Sequence, residues 1–226
     1  MTLIGSLLMG VLMLAPTTAP NNAPTDADAL ADAVMKACGA EVWPRVRRIQ
    51  FTFGGRNRHD WDVRNMTDTV TWTDQSGATR TVTVNILNPG DEPDAKAAFA
   101  RWTNDTYWLL APLKLKDPGV IRTLKEPAEI DGKVHWVLDL SFQGVGLTPG
   151  DQYDLYIDPQ THLVRAWDFI RDGKRTRHTW EGYRNFNGLM LSTEHETGRG
   201  KLVISEIQVS VEGGAEDESR RTKAED

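Results

Sequence analysis

The chain has 226 residues, 39% of them hydrophobic, enough for one large all-β or α+β domain or two small ones. Its net charge is −6, and the last fifteen residues carry six acids and three bases, so the body is only mildly acidic and lacks the basic balance that a nucleic-acid partner needs. A single cysteine, Cys38, excludes an internal disulfide, and eight tryptophans point to a wide core or an aromatic-lined cavity.

The first element is an apolar run over residues 3–14, with no charged residue before Asp26. It is short for a membrane span of about 20 residues and matches the apolar core of a secretory signal. Small residues at Ala15, Thr17, Ala19 and Ala23 follow, so the mature chain is expected to begin between residues 16 and 26; an uncleaved anchor is the alternative. Residues 1–25 are read as signal and Pro/Thr-rich linker. Cys38 lies far beyond this leader and no lipobox precedes it, so it is read as a small core residue.

Thr25 can cap a helix in which Ala27, Leu30, Ala31, Val34, Met35 and Cys38 form one apolar stripe, ending at Gly39. After Trp43-Pro44 the period becomes two. Four antiparallel strands are predicted around Phe51, Trp61, Trp72 and Val84, separated by Gly54-Gly55, Asn65-Met66 and Ser76-Gly77. Pro93 opens a second helix whose stripe includes Ala95, Ala98, Phe99 and Trp102. Its period breaks at Tyr107-Trp108-Leu109-Leu110, a run apolar on every side and ended by Pro112. This run is expected to plug the concave face of a curved sheet and to act as a movable lid.

Strands then resume at residues 120–124. Asp131-Gly132, Asp158-Pro159, Asp172-Gly173 and Asn187-Gly188 mark the turns up to a last strand over residues 202–211. Residues 212–226, rich in charge, are expected to be a disordered tail. The fold class expected is α+β: one strongly curved antiparallel sheet of about ten or eleven strands, an incomplete β-barrel with helices on its concave side.

This order resembles the outer-membrane lipoprotein-carrier superfamily, the LolA/LolB/LppX-like half-barrels. The likeness rests on the exported leader, the first amphipathic helix, the strands closed by Pro89-Gly90, and the second helix running into Trp108-Leu-Leu-Ala-Pro. It rests also on Asp151-Gln-Tyr-Asp-Leu-Tyr-Ile-Asp-Pro-Gln-Thr and Tyr183-Arg-Asn-Phe-Asn-Gly-Leu-Met-Leu-Ser-Thr, which look like the family's strand–turn–strand segments. It covers residues 26–211. It implies a periplasmic carrier or sensor that shields a lipid, acyl chain or lipoprotein in an apolar cavity, without catalysis, as a monomer with at most peripheral contact to a membrane. The family's cavity arginine has no counterpart that can be placed in this sequence.

The candidate cavity residues are Phe51, Phe53, Trp61, Trp72, Trp136 and Trp180, all on the apolar parity of their strands, with Trp102, Trp108 and Leu110 from the plug. The same parity would place them in an ordinary filled core, as expected of an exported interaction module. No cofactor and no metal site is expected: His59, His135, His162, His178 and His195 are scattered. Glu194-His195-Glu196 alternates between faces of a strand. His59 with Asp60, and His135 with Asp139, read as surface pairs. The Gly144–Gly150 segment lacks the Lys-Ser/Thr of a phosphate loop and reads as a turn. A hydrolase using His178 or His195 with nearby carboxylates is the remaining enzymatic alternative.

Overall fold

The computed structural model describes residues 23–144 and 150–213. The apolar run at 3–14, most of the linker, residues 145–149 of the Gly-rich turn and the tail beyond 213 lie outside the described residues.

Helix α1 (Ala27–Ala37) starts at Asp26, whose carboxylate accepts from the Ala29 amide at 2.8 Å. Asp26 is the cap rather than Thr25, because its extended backbone sets the carboxylate under the first turn; Thr25 lies against that carboxylate. The helix stops at Gly39 (φ +83°), where a Cβ would lie 2.0 Å from the Gly188 carbonyl oxygen. Glycine is required there on both counts, conformation and contact.

The chain then forms β1 (Val46–Phe53), β2 (Asn57–Asp62), β3 (Thr67–Thr73) and β4 (Thr79–Asn85). All are paired antiparallel in the order expected from their turns. Helix α2 (Pro93–Leu110) crosses the inner face, and a 3₁₀ turn, Ala111–Leu113, ends it. Nine further strands follow among the described residues: β5 (Val120–Ile130), β6 (Lys133–Phe142), β7 (Gln152–Ile157), β8 (Val164–Arg171), β9 (Lys174–Thr179), β10 (Arg184–Phe186), β11 (Leu189–Leu191), β12 (Glu194–Thr197) and β13 (Gly200–Val211).

These strands form a six-stranded sheet, β12-β13-β1-β2-β3-β4, a five-stranded sheet, β5-β6-β7-β8-β9, and the β10-β11 pair. The two large sheets meet where β9 approaches β12. There Glu196 N donates to Thr179 Oγ1 (2.8 Å), His195 Nδ1 to Thr179 O (2.9 Å) and Glu181 N to Glu194 O (2.9 Å). The fold is α+β, an incomplete barrel of curved antiparallel sheets, with β4 and β5 as its unpaired edges. The strand count exceeds the expected ten or eleven because residues 184–186 form a separate strand, β10, and the segment 189–196 breaks into β11 and β12. Strand β5 runs past Leu124 to Ile130; a bulge between Lys125 and Ala128 absorbs Pro127, which an edge strand tolerates.

The expected irregular plug is a regular helix. Trp108, Leu109 and Leu110 belong to α2, and the loss of amphipathic period there has a packing cause: this end of α2 lies within the half-barrel and meets apolar neighbours all round. Leu109 and Leu110 are each 1% exposed, and full burial of each contributes about 1.5–3 kcal/mol.

Ion pairs gather on the outer face of the second sheet. Lys125 bridges Asp139 (2.9 Å) and Asp154 (2.6 Å), Arg175 bridges Asp154 and Asp168, and Arg177 forks onto Asp168 at 2.7 and 2.9 Å.

Candidate functional site

Strand alternation turns all six predicted strand aromatics inward. Phe51, Phe53, Trp61, Trp72, Trp136 and Trp180 are 1–8% exposed, and all but Trp72 share one apolar cluster with Leu110. Trp102 and Trp108 are partly buried against the same cluster. The nine do not form one patch. Trp61 meets Trp102 edge-on at 5.4 Å. Trp72 packs in a separate group with Val70, Val84, Ile86 and Ala98, under the Arg101 guanidinium at 4.5 Å. Trp136 sits apart beside His162.

The densest group surrounds Trp108. Its ring lies 4.8 Å from Trp167 and 5.2 Å from both His178 and His195. Trp180 in turn lies 5.1 Å from Trp167 and 4.8 Å from His195, and Tyr107 stacks on Trp167 at 5.7 Å. Trp167 and His178 pair directly across β8 and β9, so both point inward. Their place on the same face as Phe169 and Trp180 is readable from strand parity. The contact with β12 is not, because it arises at the seam between sheets.

This interior is apolar yet holds unpartnered polar atoms. The indole Nε1 atoms of Trp61, Trp102, Trp136, Trp167 and Trp180, Nδ1 of His178 and Nε2 of His195 are buried without a hydrogen-bond partner. Such an atom costs about 1–3 kcal/mol when nothing compensates it. Burial pushes the His195 pKa down to about 4 and lowers that of His178, so both rings are neutral at pH 7. Among the described residues neither imidazole makes a hydrogen bond to a carboxylate; His195 is held by the Thr179 carbonyl instead. Among the described residues no group of three or more His, Cys, Asp and Glu side chains could hold a metal.

A second buried histidine has the opposite surroundings. His59 is fully buried, with Nδ1 2.7 Å from Asp68 and Nε2 3.0 Å from Asp105, and Phe51 stacks on it at 4.5 Å. Asn57 and Asn104 donate to Asp105 at 2.7 and 2.8 Å, and the Asp60 amide donates to Asp68 at 3.0 Å. Burial opposes charge on the ring, but the two carboxylates outweigh it and raise the pKa. This corrects the surface His59–Asp60 pair: Asp60 lies on the other face of β2 and pairs with Arg48. His135 is likewise buried rather than at the surface, bonded to the Lys133 carbonyl at 2.9 Å, while Asp139 pairs with Lys125.

Cys38 is buried as expected, and burial alone pushes its thiol up to about 12, far from a reactive thiolate. Arg122, on the inner parity of edge strand β5, is committed to Asp28 (2.8 Å) and to the carbonyls of Leu115 and Val120.

Comparison with known proteins assigns no activity. The model of a family of unknown function (DUF6503) matches residues 96–201, from within α2 to the start of β13. No curated protein matches by sequence. Among solved structures, the chain is similar to a LolA superfamily protein from Nitrosomonas europaea. The TM-score is 0.45 and the identity 12%, over 83% of this chain and 96% of that one. It is similar also to a DUF1329 family protein from Desulfovibrio piger (TM-score 0.43, 12% identity, 84% and 95% covered). A third is a putative outer membrane lipoprotein-sorting protein domain from Vibrio parahaemolyticus (0.39, 10%, 85% and 98%).

Proposed function

We propose that the protein binds an amphiphile between α2 and the inner face of the half-barrel, shielding its hydrocarbon without covalent chemistry. The observation that carries this reading is the set of buried, unpartnered nitrogens in an aromatic interior. A filled core selected only for stability has no use for seven such atoms, whereas an occupant with polar atoms would satisfy some of them. Entry requires the C-terminal turns of α2 to move, and the 3₁₀ turn after Leu110 is a natural hinge. The affinity would come from apolar area, at ~25 cal/mol per Å² removed from water.

Export belongs to the same proposal and rests on the apolar run at residues 3–14. A periplasmic carrier or sensor of a lipid, acyl chain or lipoprotein, acting as a monomer on residues 26–211, is the fullest form of the reading. Native mass spectrometry after mild extraction tests it. A copurifying amphiphile, or one fluorescent fatty acid taken up per chain, supports it; neither appearing removes it.

A second reading is favoured by the low exposure of the candidate residues themselves. If the core is simply filled, the protein is an exported interaction module. It then takes up no amphiphile under any condition that leaves it folded.

A further inference from the structure

We infer that the group around Trp108 is a head-group site for an amphiphile whose polar end is an uncharged hydroxyl, such as a long-chain alcohol or an acylglycerol with a free hydroxyl. This inference rests on the carrier reading and adds which ligand class the interior selects.

The argument starts at His195. Its Nδ1 lies 2.9 Å from the Thr179 carbonyl oxygen. A carbonyl only accepts, so Nδ1 carries the proton, and on a neutral ring Nε2 is then a bare lone pair. Burial keeps that ring neutral. Nε2 is buried and has no donor. An indole N–H can be partly satisfied by a neighbouring ring face, as the edge-on contacts here allow, but a lone pair cannot. The unmet need at His195 is therefore for a donor.

Trp180, whose ring is 4.8 Å from His195, and Trp167 beyond it each present the complementary need, an N–H without an acceptor. The ring of His178, also 5.2 Å from Trp108, has an unpartnered Nδ1 that can serve either role. A hydroxyl is donor and acceptor in one atom and matches this set. It would donate to Nε2 of His195 and accept from an indole N–H. An ionised carboxylate offers acceptors only and would face the His195 lone pair. Among the described residues no lysine or arginine is in ring contact with Trp108. The charge felt by His178 is that of Asp168 through the sheet, which is negative, and Arg122 is already committed. A buried carboxylate would thus lack a counter-charge. A bare alkane would leave all four nitrogens unmet.

The test compares hexadecanol, hexadecanoate and hexadecane, each delivered from cyclodextrin at neutral pH to the full chain and read by tryptophan fluorescence. Hexadecanol is expected to bind about tenfold more tightly than either of the others, a difference of one hydrogen-bonded polar group. His195→Phe should remove that preference, so that hexadecanol binds the variant no more tightly than hexadecane does. Trp180→Phe, which removes an N–H and keeps an aromatic ring, should reduce the preference by a smaller factor and serves where the first variant folds poorly. Hexadecanoate or hexadecane binding as well as hexadecanol to the wild type would overturn the head-group inference and leave the carrier reading standing. No binding of any of the three would overturn both.

Discussion

Two histidines packed along the same helix show two ways of burying an imidazole. His59, against the middle of α2, has carboxylates on both nitrogens, and those carboxylates are themselves held by Asn57, Asn104 and the Asp60 amide. His195, near the last turn of α2, has one carbonyl and otherwise aromatic rings. The first is a closed network, which fixes α2 to β2 and β3. The second is open, with one nitrogen unmet. A closed polar network resists change, and an open one accepts a ligand at little structural cost. The contrast divides the half-barrel into an anchored region and, on the proposed reading, a region that receives a guest.

The largest expected effect lies in the anchored region. Asp105→Ala leaves His59 Nε2 without its carboxylate and should cost about 3–5 kcal/mol, as breaking one side of a buried ion pair does. Chemical denaturation reads it. A loss below about 1 kcal/mol would mean that the network is not an anchor.

Leu110→Asp is expected to cost nearly as much, several kcal/mol, because it places an unpaired carboxylate at a position 1% exposed. Thermal melting with ligand uptake on the same variant is the measurement. An unchanged melt with lost uptake would show that the end of α2 swings out freely as a lid, and the boundary between the two regions would move toward Trp102.

The two histidines should also respond to pH with opposite signs. The raised pKa of His59 gives stability that is fully present below the unfolded value of about 6.5 and is lost as pH rises through the folded value. The depressed pKa of His195 does the reverse. Between about 6.5 and about 4 the unfolded chain takes up a proton that the folded chain refuses, so stability falls as pH falls through that window, by ~3 kcal/mol in all. Replacing His195 by Phe should flatten the acid limb of stability against pH, and replacing His59 by Gln should remove the gain below about 6.5. Identical slopes for both variants would erase the contrast.

The smallest effect sharpens the contrast most. At neutral pH His195→Phe removes one hydrogen bond and one unmet nitrogen together, so its stability should change by less than about 1 kcal/mol. His59→Phe, which strands two carboxylates, should cost about as much as Asp105→Ala, about 3–5 kcal/mol. Paired urea melts decide between them.

Parity was legible in β1, β2, β3, β6 and β8 but not in the two longest strands, β5 and β13. Phe51, Trp61, Trp72, Trp136 and Trp180 could be placed inward from alternation alone, and α1 from its stripe. What the sequence hid were contacts made by distance in the chain. Asp105 is forty-six residues from His59 and sits on a helix, so no local pattern joins them. The end of α2 was obscured for the same reason: enclosure by the sheets removes the polar face that defines a helix in sequence. Trp167 and His178 were legible as sharing faces with Phe169 and Trp180, whereas His195, read as part of a solvated strand, is fully buried. Their meeting around Trp108 depends on the seam between β9 and β12, which no turn signal marks.

The central claim is that the region around Trp108 takes up an amphiphile. Titration with a bromine-labelled sixteen-carbon chain tests it most directly, because bromine quenches tryptophan only on contact. The account predicts saturable quenching at one ligand per chain, sharply reduced in a Trp108→Phe variant that still folds. Absence of quenching by the wild type at ligand concentrations below those at which the probe aggregates would contradict it.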